Sequence, residues 1–252
     1  MENVTLLNRK QLSGLIRLEC DNASEIVQDL NSFKVEDFIS INLSKTREFD
    51  NYPLAYSHCY DTFFKGKDEN SLSSELYVQY SFTEQPKEKS ISSADLLASG
   101  SSPKARYRRI QKGSASYIPE ADDETYTELT DECPPSVKKL IDEITATGDT
   151  VTRVRLAGLA PHHSILLHRD HDPTKLIRLH IPVKTNDKCV IDCENKSLEI
   201  VTTHLESGGL YMLNTGRRHA ARNESDEWRV HLLIDVHGQN FINKCAFGAV
   251  VD

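Results

Sequence analysis

Trp228-Arg-Val-His-Leu-Leu-Ile-Asp235 is the stretch that decides the fold, because its residues sort cleanly onto two sides of a strand. Successive side chains of a strand point to opposite faces. Trp228, Val230, Leu232 and Ile234 therefore share one face, and Arg229, His231, Leu233 and Asp235 the other. The same period of two runs through Ile177-Arg-Leu-His-Ile-Pro-Val183, where Arg178, His180 and Pro182 oppose four aliphatic residues. It begins at Thr150, with Val154 and Leu156 alternating with Arg153 and Arg155. Turn signals at Thr185-Asn186-Asp187, Ser207-Gly208-Gly209 and Asn214-Thr215-Gly216 cut the region into short strands. Short strands between such turns predict an antiparallel barrel or sandwich.

Working back toward the N-terminus, Pro134-Pro135-Ser136 opens a helix, with Val137, Leu140, Ile141 and Ile144 on one face and Gly148 as its stop. Asp21 to Phe33 reads as a second helix, with Asn22 or Ser24 as its cap and Ile26, Val27 and Leu30 on one side. Leu76 to Phe82 reads as a strand. Residues 84–116, rich in Ser and Lys, read as a long loop. It carries the basic run Lys104–Lys112, and an acidic run from Glu120 to Glu132 follows. Two readings of these runs stand: a solvated loop whose halves neutralise each other, or a lid whose arginines meet an anionic substrate or partner. The expectation is one domain, mainly β with flanking helices. Residues 1–133 shape specificity, and residues 134–240 form the barrel with its leading helix.

The 252 residues carry a formal net charge of −8 and are 38% hydrophobic. That length can bury a core without disulfides or a structural metal. An acidic balance argues against nucleic acid as a partner, since phosphate binding needs a basic surface. No apolar run approaches the roughly 20 residues of a membrane span, and Met1–Gln11 lacks a signal-peptide core, so a cytoplasmic location is expected. Six cysteines without a C-x-x-C pair fit reduced thiols there. Nine of the ten histidines fall in the last 91 residues, on the β scaffold.

Among them, His168 and Asp170 stand two apart, so both side chains can converge on one ion. His219, after a turn in a distant strand segment, is the candidate third ligand. Two imidazoles and one carboxylate on one face of a metal leave open positions on the other, the pattern of non-haem Fe(II) oxygenases. Arg229 is expected to point into the barrel, where a buried guanidinium needs a carboxylate. A ligand carboxylate fits that need, with Asp235 the alternative partner. Arg178 and His180 share a polar strand face and are candidates to hold a second carboxylate or to support the metal. The stretch Leu166-Leu-His168-Arg-Asp170-His171 lacks the first histidine of the metallo-β-lactamase signature, which excludes that class. A zinc hydrolase using the same three ligands is chemically allowed but leaves the inward arginines unexplained.

With these motifs in order, Thr150–Val236 resembles the aspartyl/asparaginyl β-hydroxylase family of Fe(II)/2-oxoglutarate oxygenases, and within it the L-proline cis-4-hydroxylase-like branch. The resemblance is carried by His168-Arg-Asp170, Ile177–Val183 running into Cys189, Gly208-Gly-Leu-Tyr-Met-Leu213, His219 and Arg229–Asp235. It implies a double-stranded β-helix core of the jelly-roll or cupin type. It implies iron ligation by His168, Asp170 and His219, a 2-oxoglutarate clamp at Arg229, and contact of Arg178 and His180 with co-substrate or substrate. Vertebrate-type members lack the carboxylate ligand, so Asp170 favours the small bacterial-type hydroxylases. The implied reaction consumes O2 and 2-oxoglutarate, hydroxylates a free, peptidyl or carrier-bound amino acid, and releases succinate and CO2. A non-catalytic barrel that kept the pocket is the alternative from another class.

Overall fold

The strand Arg229–His237 lies at the centre of the molecule and organises everything around it. The structure is a computed structural model, and it describes residues 6–8, 10–35, 39–40, 77–84, 127–245 and 247–250. In chain order the elements are β1 (Leu15–Leu18), α1 (Ala23–Leu30), β2 (Ile39–Ser40), β3 (Tyr77–Ser81), β4 (Thr83–Glu84) and β5 (Glu128–Leu129). Then come α2 (Pro135–Thr145), β6 (Thr150–Leu159), β7 (His163–His168), β8 (Ile177–Lys184), β9 (Cys189–Glu194) and β10 (Ile200–His204). The chain closes with β11 (Leu210–Leu213), β12 (His219–Asn223), β13 (Arg229–His237), α3 (Asn240–Lys244) and β14 (Phe247–Val250).

A large sheet has the order β14-β1-β11-β8-β13-β6-β3-β2, a small one the order β10-β9-β12-β7, and β4 pairs with β5 separately. From β6 to β13 the chain passes back and forth between the two main sheets, with the β9–β10 hairpin as the turning point in the small one. That winding is a double-stranded β-helix, as expected. Val230, Leu232, Ile234 and Val236 of β13 join Ile177, Leu179, Ile181 and Val183 of β8 in one cluster. Ile26 and Leu30 of α1, with Val137, Leu140, Ile141 and Ile144 of α2, belong to the same cluster. Each such side chain, fully buried, contributes on the order of 1.5–3 kcal/mol. The opposite face of the large sheet carries a smaller apolar cluster of Leu15, Leu159, Tyr211 and Leu213, shared with Ile191, Cys193 and Ala221 of the small sheet. The same face also carries the buried polar residues His180, Arg229, His231 and Asp235.

The helices start where Pro and Asn place them. α2 has Pro135 in its first turn, and its end runs into Gly148, which takes a positive φ of 89°. α1 is shorter than the predicted Asp21–Phe33. Asn22 occupies its cap position but does not cap it with its side chain. The Asn22 amide instead donates to the Ser136 carbonyl at 3.1 Å, tying the two helix starts together. The predicted strand at Leu76–Phe82 is β3. The loop predicted over residues 84–116, with Lys104–Lys112, falls almost wholly outside the described residues.

The ladder between β6 and β13, at the centre of the large sheet, is irregular. The β6–β13 ladder shifts register between Leu233 and Asp235, and Arg153 on the β6 side takes a left-handed φ of 49°. A bulge of this kind re-aims a side chain out of strict alternation. Arg153 is buried despite its charge.

Candidate metal centre

β7 and β12 are neighbours in the small sheet, and their ends hold two imidazoles side by side. His168 closes β7 and His219 opens β12, and the two are direct register partners with ring centroids 4.2 Å apart. Asp170 lies just beyond β7, its backbone N–H donating to the Thr215 carbonyl at 2.8 Å. Its carboxylate comes within 3.7 Å of His168 Nε2 and 3.9 Å of His219 Nε2. One ligand atom from each of the three residues falls within a 4.8 Å cluster. The His219 Nδ1 lies 3.0 Å from the Arg217 carbonyl. A carbonyl can only accept, so Nδ1 carries the proton and Nε2 presents its lone pair to the cluster. Burial lowers the pKa of His219 to about 4, which keeps that imidazole neutral near neutral pH. Burial alone would raise Asp170, but Arg178 and then the two histidines outweigh it and hold the carboxyl below its ordinary value. A charged Asp170 and a neutral His219 are the forms in which these two residues bind a metal.

The large sheet supplies the facing wall. Arg178 of β8 donates from Nε and Nη2 to Asp235 at 2.7 and 3.3 Å, and from Nη1 to Asp170 at 3.0 Å. Asp235 of β13 is wholly buried. It also receives Arg155 Nη1 at 3.2 Å and lies 3.7 Å from Arg153 Nη1. Burial would raise the Asp235 pKa, but Arg155, Arg178 and Arg153 together drive it far below the carboxylate range. Arg153 is pushed the other way, its pKa well below normal through burial and then the neighbouring Arg155. Further along β13, Arg229 Nη2 lies 3.0 Å from His231 Nδ1, and His180 Nδ1 stands 3.5 Å from that same atom. A guanidinium only donates, so Arg229 makes His231 Nδ1 the acceptor and places its proton on Nε2. The His180 and His231 Nε2 atoms are buried without a hydrogen-bond partner among the described residues. Burial, then Arg229, holds both imidazoles well below their usual pKa.

This wall bears on three readings of the sequence. Asp235 does not serve Arg229; it gathers Arg178, Arg155 and Arg153. Arg178 already binds two of the protein's own carboxylates, so it is not simply a waiting clamp. His231, which the sequence placed on the Arg229 face with no site role, stands in the site beside Arg229. Arg153 and Arg155 carried no site role in the sequence, because their meeting with Asp235 depends on the β6–β13 bulge and the β8–β13 register. The remaining histidines of the β region hold loops or lie at the surface: His163 reaches the Pro161 carbonyl, His204 that of Cys189 and His237 that of Lys175. His162 pairs with Asp226 at the surface, and His171 is exposed. His58 is outside the described residues. Cys189 and Cys193 are both free thiols, not a metal pair or a disulfide.

Charge sums to a surplus on the inner wall. Among these described residues, four guanidinium groups, Arg153, Arg155, Arg178 and Arg229, stand with two carboxylates, Asp170 and Asp235, a difference of two formal charges within this set. Such a wall suits a small dianion placed beside the three-residue cluster.

A family model described as aspartyl/asparaginyl beta-hydroxylase matches residues 98–238, more than half of the chain. The match begins well upstream of the barrel, inside the segment read from sequence as a loop. Among solved structures, an oxidoreductase of the 2OG-Fe(II) oxygenase family from Burkholderia pseudomallei is 12% identical. It aligns over 41% of this chain and 51% of its own, with a TM-score of 0.34. The non-haem alpha-ketoglutarate-dependent epimerase SnoN from nogalamycin biosynthesis is 10% identical over 41% of this chain and 56% of its own, at 0.34. A cupin domain from Bordetella pertussis is 23% identical over 35% of this chain and 82% of its own, at 0.28. The chain thus spans about half the length of the oxidoreductase and of the epimerase it matches.

Proposed function

The chain belongs to the aspartyl/asparaginyl β-hydroxylase family, and on that premise we propose that it is an Fe(II)- and 2-oxoglutarate-dependent hydroxylase of an amino acid. The observation that carries the proposal is the convergence of His168, Asp170 and His219 within 4.8 Å at the edge of a cationic wall. Two imidazole nitrogens and one carboxylate suit Fe(II), and they fill one face only. Iron(II) with 2-oxoglutarate supplies the oxidising chemistry, coupling decarboxylation of the keto acid to hydroxylation of a C–H bond by O2, with succinate and CO2 released.

The protein's own share is placement. His219 is fixed by the Arg217 carbonyl with Nε2 toward the position an ion would take, and His168 is fixed beside it by strand pairing. Arg229, with His231 beside it, offers donors to the distal carboxylate of 2-oxoglutarate, and the unpartnered Nε2 atoms of His180 and His231 supply further polar contacts. The surplus of positive charge favours a dianionic co-substrate over a neutral one. Burial of these groups keeps bulk water away from them, which strengthens every ionic contact they make.

Asp170 supports a place among the small hydroxylases of the proline cis-4-hydroxylase-like kind, acting in the cytoplasm on a free, peptidyl or carrier-bound amino acid. A mass-spectrometric screen of amino acids and short peptides with Fe(II) and 2-oxoglutarate tests this. A product heavier by one oxygen, formed with stoichiometric succinate, is the expected result. Tight 2-oxoglutarate binding without substrate-dependent succinate across the panel would favour a binding module instead.

A further inference from the structure

Arg178 stands between two carboxylates that do different work. Its Nε and Nη2 donate to Asp235, and its Nη1 donates to Oδ2 of Asp170 at 3.0 Å. A guanidinium is a rigid planar fork, so anchoring two of its nitrogens fixes the direction of the third. The anchor is itself immobile. Asp235 is wholly buried, lies opposite Arg178 in the β8–β13 ladder and is also bound by Arg155. Asp170, by contrast, sits past the end of β7 with about a quarter of its side chain exposed (25%). Oδ1 lies 3.7 Å from His168 Nε2 and Oδ2 lies 3.9 Å from His219 Nε2, so both oxygens stand beside the candidate ligands, and Oδ2 is the one that Arg178 engages.

A carboxylate on such a short extension can turn and offer both oxygens to one cation. Chelation of that kind would occupy a coordination position that a facial triad otherwise leaves open. We propose that Arg178, anchored by Asp235, is a positioning residue that engages Oδ2 of Asp170 and so limits this ligand to a single oxygen on the metal. The proposal rests on the reading of His168, Asp170 and His219 as the metal site. It assigns the buried Arg153–Arg155–Arg178–Asp235 cluster a function, since the cluster fixes the one ligand that no strand holds. It also accounts for the use of arginine at this position, because a point-charge donor cannot fork between two carboxylates.

Mn(II) on the full-length chain tests this without turnover. Bound Mn(II) relaxes the protons of the waters it carries, so the relaxivity per bound ion counts its water ligands. Arg178→Gln and Asp235→Asn should each still bind Mn(II) but lose about one metal-bound water relative to the parent chain, as the second oxygen of Asp170 takes its place. A folded variant whose relaxivity per bound ion equals that of the parent overturns the proposal. Either variant alone decides, so failure of one to fold leaves the test intact. His219→Ala separates the premise from the proposal. Mn(II) held at full affinity in that variant overturns the triad itself, whereas unchanged relaxivity with a ligand-dependent site overturns only the role of Arg178.

Discussion

His168 and His219 are direct register partners on β7 and β12, so one hydrogen-bonded strand pair sets the spacing of both imidazoles. Removing either ring should abolish metal retention without disturbing the sheets. His168→Ala and His219→Ala are each expected to weaken Mn(II) binding by more than about 100-fold, beyond the loss typical of supporting residues. Calorimetric titration measures it, and a thermal melt close to that of the parent chain shows the fold intact.

Asp235 should matter more to stability than any ligand. Truncation leaves Arg153, Arg155 and Arg178 buried around a missing charge, and breaking such a cluster costs about 3–5 kcal/mol. Urea unfolding of Asp235→Ala should show that loss. A midpoint equal to that of the parent chain would contradict the placement of three guanidinium groups around one buried carboxylate.

Arg229→Gln should raise the Kd for 2-oxoglutarate by on the order of 30-fold or more, as expected when a charged hydrogen bond is lost. Mn(II) affinity should stay unchanged, because the neighbour that Arg229 bonds, His231, belongs to the opposite sheet from His168 and His219. Equal weakening of both would place Arg229 in the fold and not at the co-substrate.

Gly238→Ala is a test remote from the centre. Gly238 has a φ of 125°, and a Cβ there would stand 2.0 Å from Asp149 Oδ1. Asp149 accepts the backbone N–H groups of Asn240 and Phe241 at 3.2 and 2.8 Å and so holds the start of α3. A loss of about 2 kcal/mol in denaturant unfolding is expected, from backbone strain and the displaced cap together.

The metal-free protein should lose stability on mild acidification. His219 falls to about 4 in the fold, and His180 and His231 are also lowered. The unfolded chain therefore binds protons at these positions, near the ordinary histidine value of about 6.5, while the folded chain does not. Stability is full above that value and declines as pH falls toward 4, by roughly 1 kcal/mol per pH unit for each histidine that stays neutral. Melting temperatures measured from about pH 7.5 to 5 should fall steadily. A flat profile would mean that these imidazoles gain protons in the fold.

The barrel was legible because β8 and β13 each bury one face under α1 and α2, and that demand writes a period of two into the sequence. His168 and Asp170 were legible for the same reason, since two residues apart on an extended chain is a geometric statement. Other features could not be read in this way. That Arg178 meets Asp235, 57 residues away, depends on the β8–β13 register, which no local pattern encodes. Arg153 enters the cluster through a bulge, which breaks the alternation that made its neighbours readable. His231 looked like an ordinary strand residue because its importance comes from Arg229 two positions earlier on the same face.

The division of labour between the two sheets has one more consequence. His168, Asp170 and His219 come from the small sheet and its margin, while Arg178 and Arg229 come from the large one. A ligand that reaches from the ion to the arginines is therefore a rivet through the jelly roll as well as a reactant. Its loading and departure change how firmly the two layers are clamped. Under the proposed function, resistance to heat and to proteases would report whether the co-substrate is loaded.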